Sequence, residues 1–214
     1  MDPQQHHYLH AMGIDLFEEA PFESETSIEQ LDWEPLIERV KGCQACSLHK
    51  TRKQVVFGVG NRQADLLLVG EAPGAQEDQQ GEPFVGRAGQ LLTSMLHAID
   101  LRREDIFIAN ILKCRPPNNR DPSPEEVALC TPFLVQQVNL IKPKLIVALG
   151  RIAAHFLLNT QTPLSRLRGQ LFNFGHEEKI PLIVTFHPAY LLRSPREKEK
   201  AYDDLLRIRQ ILAL

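Results

Sequence analysis

The sequence predicts an α/β fold, a three-layer α/β/α sandwich around a parallel sheet. Four short aliphatic runs recur, at 65–70 (DLLLVG), 106–110 (IFIAN), 145–150 (LIVALG) and 182–186 (LIVTF). Each run is continuously apolar rather than alternating, which is what a strand requires when both of its faces are covered. A helical pattern follows each run, as in βα units whose crossovers bring the next strand in parallel. Size agrees with one core: 214 residues, 43% hydrophobic and 24% charged, make an ordinary globular chain that buries roughly 70% of its unfolded surface without staples.

Taken in order, residues 1–30 mix short apolar patches with acidic, Ser and Gln residues and hold no period, the pattern of a partly ordered extension. The domain proper is expected to span 31–214. A first helix is predicted from Ser27 to Gly42, with Leu31, Leu36 and Val40 as its apolar stripe. Ala88, Leu91, Leu92, Met95, Leu96 and Ile99 fall at helical intervals and form one apolar face. Ser123, Pro124, Glu125 and Glu126 make a capping box with Pro at the first helical position. Val127, Cys130, Leu134 and Val138 carry that helix inward. A last helix runs from about Glu197 through Tyr202, Leu205, Ile208 and Leu212.

The formal charge of −3, from 24 basic and 27 acidic residues, is unevenly placed. Residues 1–38 hold ten acidic residues and no Lys or Arg, so the remainder carries 24 basic against 17 acidic, a net of +7. A body this basic attracts a polyanion such as DNA, and the acidic extension is a candidate contact for a protein partner. No apolar run approaches the roughly 20 residues needed to cross a bilayer, and the N-terminus shows no signal pattern. A cytoplasmic protein with no membrane partner is expected.

Ligands of open parallel sheets bind beyond the carboxyl ends of the strands. The residues there are Gly70-Glu71-Ala72-Pro73-Gly74, Asn110, Gly150-Arg151 and His187-Pro188, so a carboxylate, a carboxamide and an imidazole reach one sheet edge. Cys43 and Cys46 form a CxxC after the first helix, and Cys114 and Cys130 lie around the loop RPPNNRDPSP. Four thiolates suit tetrahedral zinc or an iron–sulfur cluster, and the spacing favours such ligation over the alternative that Cys130, on an apolar helical face, is a core residue.

GEAPGAQED (70–78), EPFVGRAGQLL (82–92), NILKCRPPNNR (110–120) and HPAYLLR (187–193) closely resemble family 4 uracil-DNA glycosylases, the iron–sulfur branch of that superfamily. The likeness runs from about Val40 to the C-terminus, with the motifs in matching order. It implies a uracil-DNA glycosylase-like fold with a central four-stranded parallel sheet and a [4Fe-4S] cluster on Cys43, Cys46, Cys114 and Cys130. It also implies a hydrolase, expected as a monomer, that flips uracil out of DNA and cleaves its N-glycosidic bond, leaving an abasic site.

By the same resemblance, Phe84 is the stacking platform, Asn110 reads uracil N3–H and O4, and His187 donates to O2. Gly70, Glu71 and Ala72 line the pocket, and Glu77 crowds C5 against the thymine methyl. Leu191 is the wedge that fills the vacated stack. Arg193, Arg120, Arg87 and Lys113 are candidate phosphate contacts, and Asn119 approaches the pocket. Glu71 is the candidate for holding the attacking water. The best-known branch of the superfamily carries Asp where this chain has Ala72, so that role does not transfer directly. The competing reading is a damage-binding iron–sulfur DNA protein with little turnover, against which stand Asn110, His187 and Glu71 together.

Overall fold

The structure is a computed structural model that describes residues 27–175 and 179–213, with His7, Ala11 and Met12 ahead of them. Apart from those three residues and 27–30, the extension expected over 1–30 lies outside the described residues.

Among the described residues six strands form one sheet: β1 (Val59–Gly60), β2 (Leu66–Gly70), β3 (Phe107–Asn110), β4 (Leu145–Leu149), β5 (Phe172–Phe174) and β6 (Ile180–Thr185). Their order is β1-β3-β2-β4-β6-β5. The inner four pair in parallel and are the four aliphatic runs of the sequence. The expected four-stranded sheet is therefore extended to six, because short β1 and β5 add on antiparallel at its edges.

Strand side chains alternate between the two faces, so each inner strand feeds two cores. Leu67, Val69, Ala109, Ile146, Ala148, Leu182 and Val184 face one way. They meet α4 (Pro124–Ile141), α5 (Arg151–Leu157) and α6 (Leu164–Leu167) through Val127, Leu134, Val138, Ala153, Ala154 and Leu167. Leu66, Leu68, Ile108, Leu145, Val147 and Ile183 face the other way. Their partners lie on α3 (Arg87–His97), α7 (Pro188–Arg193) and α8 (Lys198–Leu212). A short α2 (Ala75–Gln80) follows β2. This is the three-layer sandwich.

The predicted capping box forms: Ser123 Oγ accepts from Glu126 N, and the Glu126 carboxylate accepts from Ser123 N. The first helix departs from expectation. Asp32 accepts from the Trp33 backbone N–H and starts α1 (Trp33–Lys41), leaving Ile28–Gln30 as a separate 3-10 turn. A short polar acceptor at that position satisfies the free amides of a new helix start and so divides what periodicity reads as one helix. Among the described residues no helix is long and apolar enough to cross a membrane.

Candidate active site and thiol cavity

The carboxyl ends of β2, β3, β4 and β6 open into one cleft of about 870 Å³. Among the residues singled out in the sequence, Glu71, Ala72, Glu77, Phe84, Asn110, Asn119, Arg120, His187 and Arg193 line it. Parallel pairing sets Gly70 beside Asn110. A Cβ at Gly70 would stand 2.3 Å from Asn110 Oδ1 and 2.8 Å from the Phe84 ring, so only glycine lets these two side chains meet at the strand end. The Phe84 and His187 rings are 5.5 Å apart between centroids.

Asn110 is 2% exposed, yet its Oδ1 has no hydrogen-bond partner. An orphaned buried acceptor costs about 1–3 kcal/mol, and its place in the wall of a cleft points to a donor arriving with a ligand.

His187 follows β6 and caps α7: its Nδ1 accepts from the Ala189 backbone N–H at 3.1 Å. A nitrogen that accepts carries no proton, so the ring is neutral with its proton on Nε2. Burial first, and the Arg193 charge second, pull its pKa down to about 4 against an upward pull from Glu77. The neutral donor form therefore prevails through physiological pH.

Glu71 is half-buried, and burial pushes its carboxyl up to about 7, with Asp121 adding to the rise and Arg151 countering it. Asp121 and Arg151 form an ion pair at 3.3 Å and also line the cleft. Sequence reading reached Arg151 only as a residue after a strand, and nothing in the loop around Asp121 marked it. Glu77 Oε1 accepts from the Val85 and Gly86 backbone N–H groups at 3.0 and 3.1 Å.

Several expectations need correction. Leu191 is 1% exposed and packs in the core with α3 and α8, so it is no wedge here. With α7 starting at Pro188, that position faces inward, and Tyr190 and Leu192 are the exposed neighbours, at 39% and 37%. Lys113 is 1% exposed and donates from Nζ to the Asn110 carbonyl at 2.8 Å and Gln137 Oε1 at 2.6 Å, out of reach of a phosphate. Arg120 reaches the cleft wall, but its guanidinium is already bidentate to Glu126. Arg87, the exposed first residue of α3, stands outside the cleft lining, whereas Arg193 is exposed and lines it.

The four cysteines line a second cavity together with Arg52, Leu112 and Phe133. Arg52 Nη1 donates to Cys114 Sγ at 3.1 Å, and the Lys113 backbone N–H donates to Cys130 Sγ at 3.3 Å. Among the described residues no three Cys, His, Asp or Glu side chains are gathered tightly enough to share one metal ion. Four thiols around one cavity, with the Arg52 guanidinium donating to Cys114 and the Lys113 backbone amide to Cys130, fit a group held by four thiolates, such as a [4Fe-4S] cluster.

A model of the Uracil DNA glycosylase superfamily matches residues 57–207. A type-4 uracil-DNA glycosylase of Archaeoglobus fulgidus is 47% identical over 189 residues, 86% of this chain and 94% of that protein. One of Thermotoga maritima is 49% identical over 158 residues, 73% of this chain and 81% of its own. A type-5 enzyme of Thermus thermophilus is more distant, 31% identical over 60% of this chain and 73% of its own. The matched stretch carries Asn110, His187, Glu71 and Phe84, and the chain belongs to the uracil DNA glycosylase superfamily, within its type-4 group.

Proposed function

We propose that this chain hydrolyses the N-glycosidic bond of uracil in DNA. The observation that carries the reading is the pair of complementary groups in the cleft, the unpartnered Oδ1 of Asn110 and the Nε2–H of a neutral His187. The target nucleotide leaves the stack, because the bond to be cut is inaccessible inside a duplex. Uracil stacks on Phe84. Asn110 Oδ1 accepts from N3–H while its amide donates to O4; cytosine presents the reverse pattern and leaves buried groups unpaired. Glu77 fills the space beside C5, where thymine carries a methyl.

As the N1–C1′ bond breaks, its electron pair moves into the uracil ring, and the His187 Nε2–H bond to O2 strengthens with that charge. A water held by Glu71 forms the new bond to C1′ and gives its proton to the carboxylate. Arg193 faces the DNA backbone. Cys43, Cys46, Cys114 and Cys130 would hold a [4Fe-4S] cluster, which would supply a cross-link between the segment after α1, the loop after β3 and α4.

Incubation with a uracil-containing oligonucleotide followed by alkaline strand cleavage tests the reading. Cleavage at uracil and not at cytosine or thymine is expected; binding without cleavage supports the low-turnover alternative instead.

The role of Glu71 has its own signature. kcat/KM is expected to rise as pH passes through about 7, where the carboxyl loses its proton, and to level off above. Glu71→Gln should abolish that limb and lower the plateau about 10²–10⁴-fold. The same variant should be more stable than the parent at pH 8. The folded carboxyl keeps its proton to about 7 while the unfolded one releases it near 4.5, so native stability falls as pH rises across that window. An uncharged amide removes that loss, and thermal melts at pH 4 and pH 8 read the difference.

Replacing Cys130 with Ser is expected to remove the visible absorbance of the cluster. Stability should fall on the order of 2–5 kcal/mol, the scale of a lost cross-link. Full absorbance in that variant excludes Cys130 as a ligand.

A further inference from the structure

We propose that Arg103, outside the cleft, is the positioning residue that holds Phe84 in place as the base platform; this rests on the reading that uracil stacks on Phe84. Phe84 has a left-handed backbone, φ 56, which an aromatic residue keeps only where its surroundings over-determine it. Three neighbours do so. Arg103 opens the 3-10 turn Arg103–Asp105 ahead of β3. It donates from Nη1 to the Phe84 carbonyl at 3.2 Å and from Nη2 to the Pro83 carbonyl at 2.9 Å. Glu77 takes the next two amides, Val85 and Gly86. Gly89 lets α3 lie against the same carbonyl, since a Cβ there would stand 1.7 Å from Phe84 O.

The peptide units on both sides of the Phe84 Cα are thus gripped by side chains, and the ring is directed into the cleft wall. Glu77 grips from inside the cleft and Arg103 from outside its lining. A planar guanidinium spans two successive carbonyls; a lysine ammonium is a point donor and serves one of them well. Both side-chain hydrogen bonds that Arg103 makes among the described residues go to this one turn. A half-buried cation directed wholly at a strained turn carrying a site residue is placed to hold that residue, rather than to join two elements.

The test is a double-mutant cycle on the cluster-loaded full chain, with uracil release and the fluorescence of 2-aminopurine beside the uracil as readouts. Arg103→Met is expected to lower kcat/KM about tenfold or more and to reduce the flipping signal, with Arg103→Lys recovering part of both. In a Phe84→Ala background the same Arg103→Met change should cost almost nothing further, because the platform is already gone. Parental activity in Arg103→Met overturns the proposal. So does an equal cost in both backgrounds, which marks a general role in the fold. Parental activity in Phe84→Ala refutes the stacking reading itself, an outcome distinct from either. The Lys variant keeps the stem and charge, so it carries the cycle if the Met variant does not fold.

Discussion

Asn110→Ala is expected to lower kcat/KM for uracil about 10²–10³-fold and to reduce a uracil-over-cytosine preference of about 10⁴ to within tenfold. Asn110 closes β3, its register partner is Gly70, and its Oδ1 is buried without a partner. Such an atom destabilises the empty protein and is compensated when a ligand brings a donor. The loss should therefore fall on recognition, visible in both kcat and KM, while the unfolding temperature is not lowered. Single-turnover assays on matched uracil and cytosine oligonucleotides, paired with thermal melts, measure both halves. A variant that discriminates as the parent does would place base reading elsewhere.

His187→Ala is expected to lower kcat about 10²–10³-fold with little change in KM. On the proposed reading the distinction from Asn110 follows from timing: Asn110 pairs with groups present in the bound base, whereas the Nε2–H bond to O2 gains strength only as charge develops. Losing the cap on α7 should also cost about 1 kcal/mol of stability, a minor part of the effect. Because the ring stays neutral down to about pH 4, the parent should show no histidine limb between pH 5 and 8. Nitrogen NMR shifts should show Nε2 protonated and Nδ1 bare. A cationic ring at neutral pH would contradict the cap geometry.

The inner sheet was legible because burial on two faces leaves a strong trace: every residue of β2, β3 and β4 is buried, and the runs are correspondingly unbroken. β1 and β5 leave none, being two and three residues long and partly exposed. The cleft was legible in outline, since Glu71, Asn110 and His187 follow strands directly. Facing was not. Leu191 stands four residues after His187 in the motif, yet its direction is set by a helix that His187 caps and Pro188 opens. Lys113 reads as a solvated cation beside a loop, but its acceptors are the Asn110 carbonyl and a glutamine 24 positions on, which only tertiary packing brings near. Arg103 carries no motif at all, and its partners lie about twenty residues earlier.

Asn110 closes β3 and His187 follows β6, which is the last strand among the described residues yet inserts between β4 and β5. During synthesis the reader leaves the ribosome well before the donor. On the proposed reading, a nascent chain that ends short of residue 187 carries Glu71, Phe84 and Asn110 but lacks the imidazole that stabilises the departing base. The product on that reading is itself a DNA lesion, and its formation waits on a chain extended past residue 187.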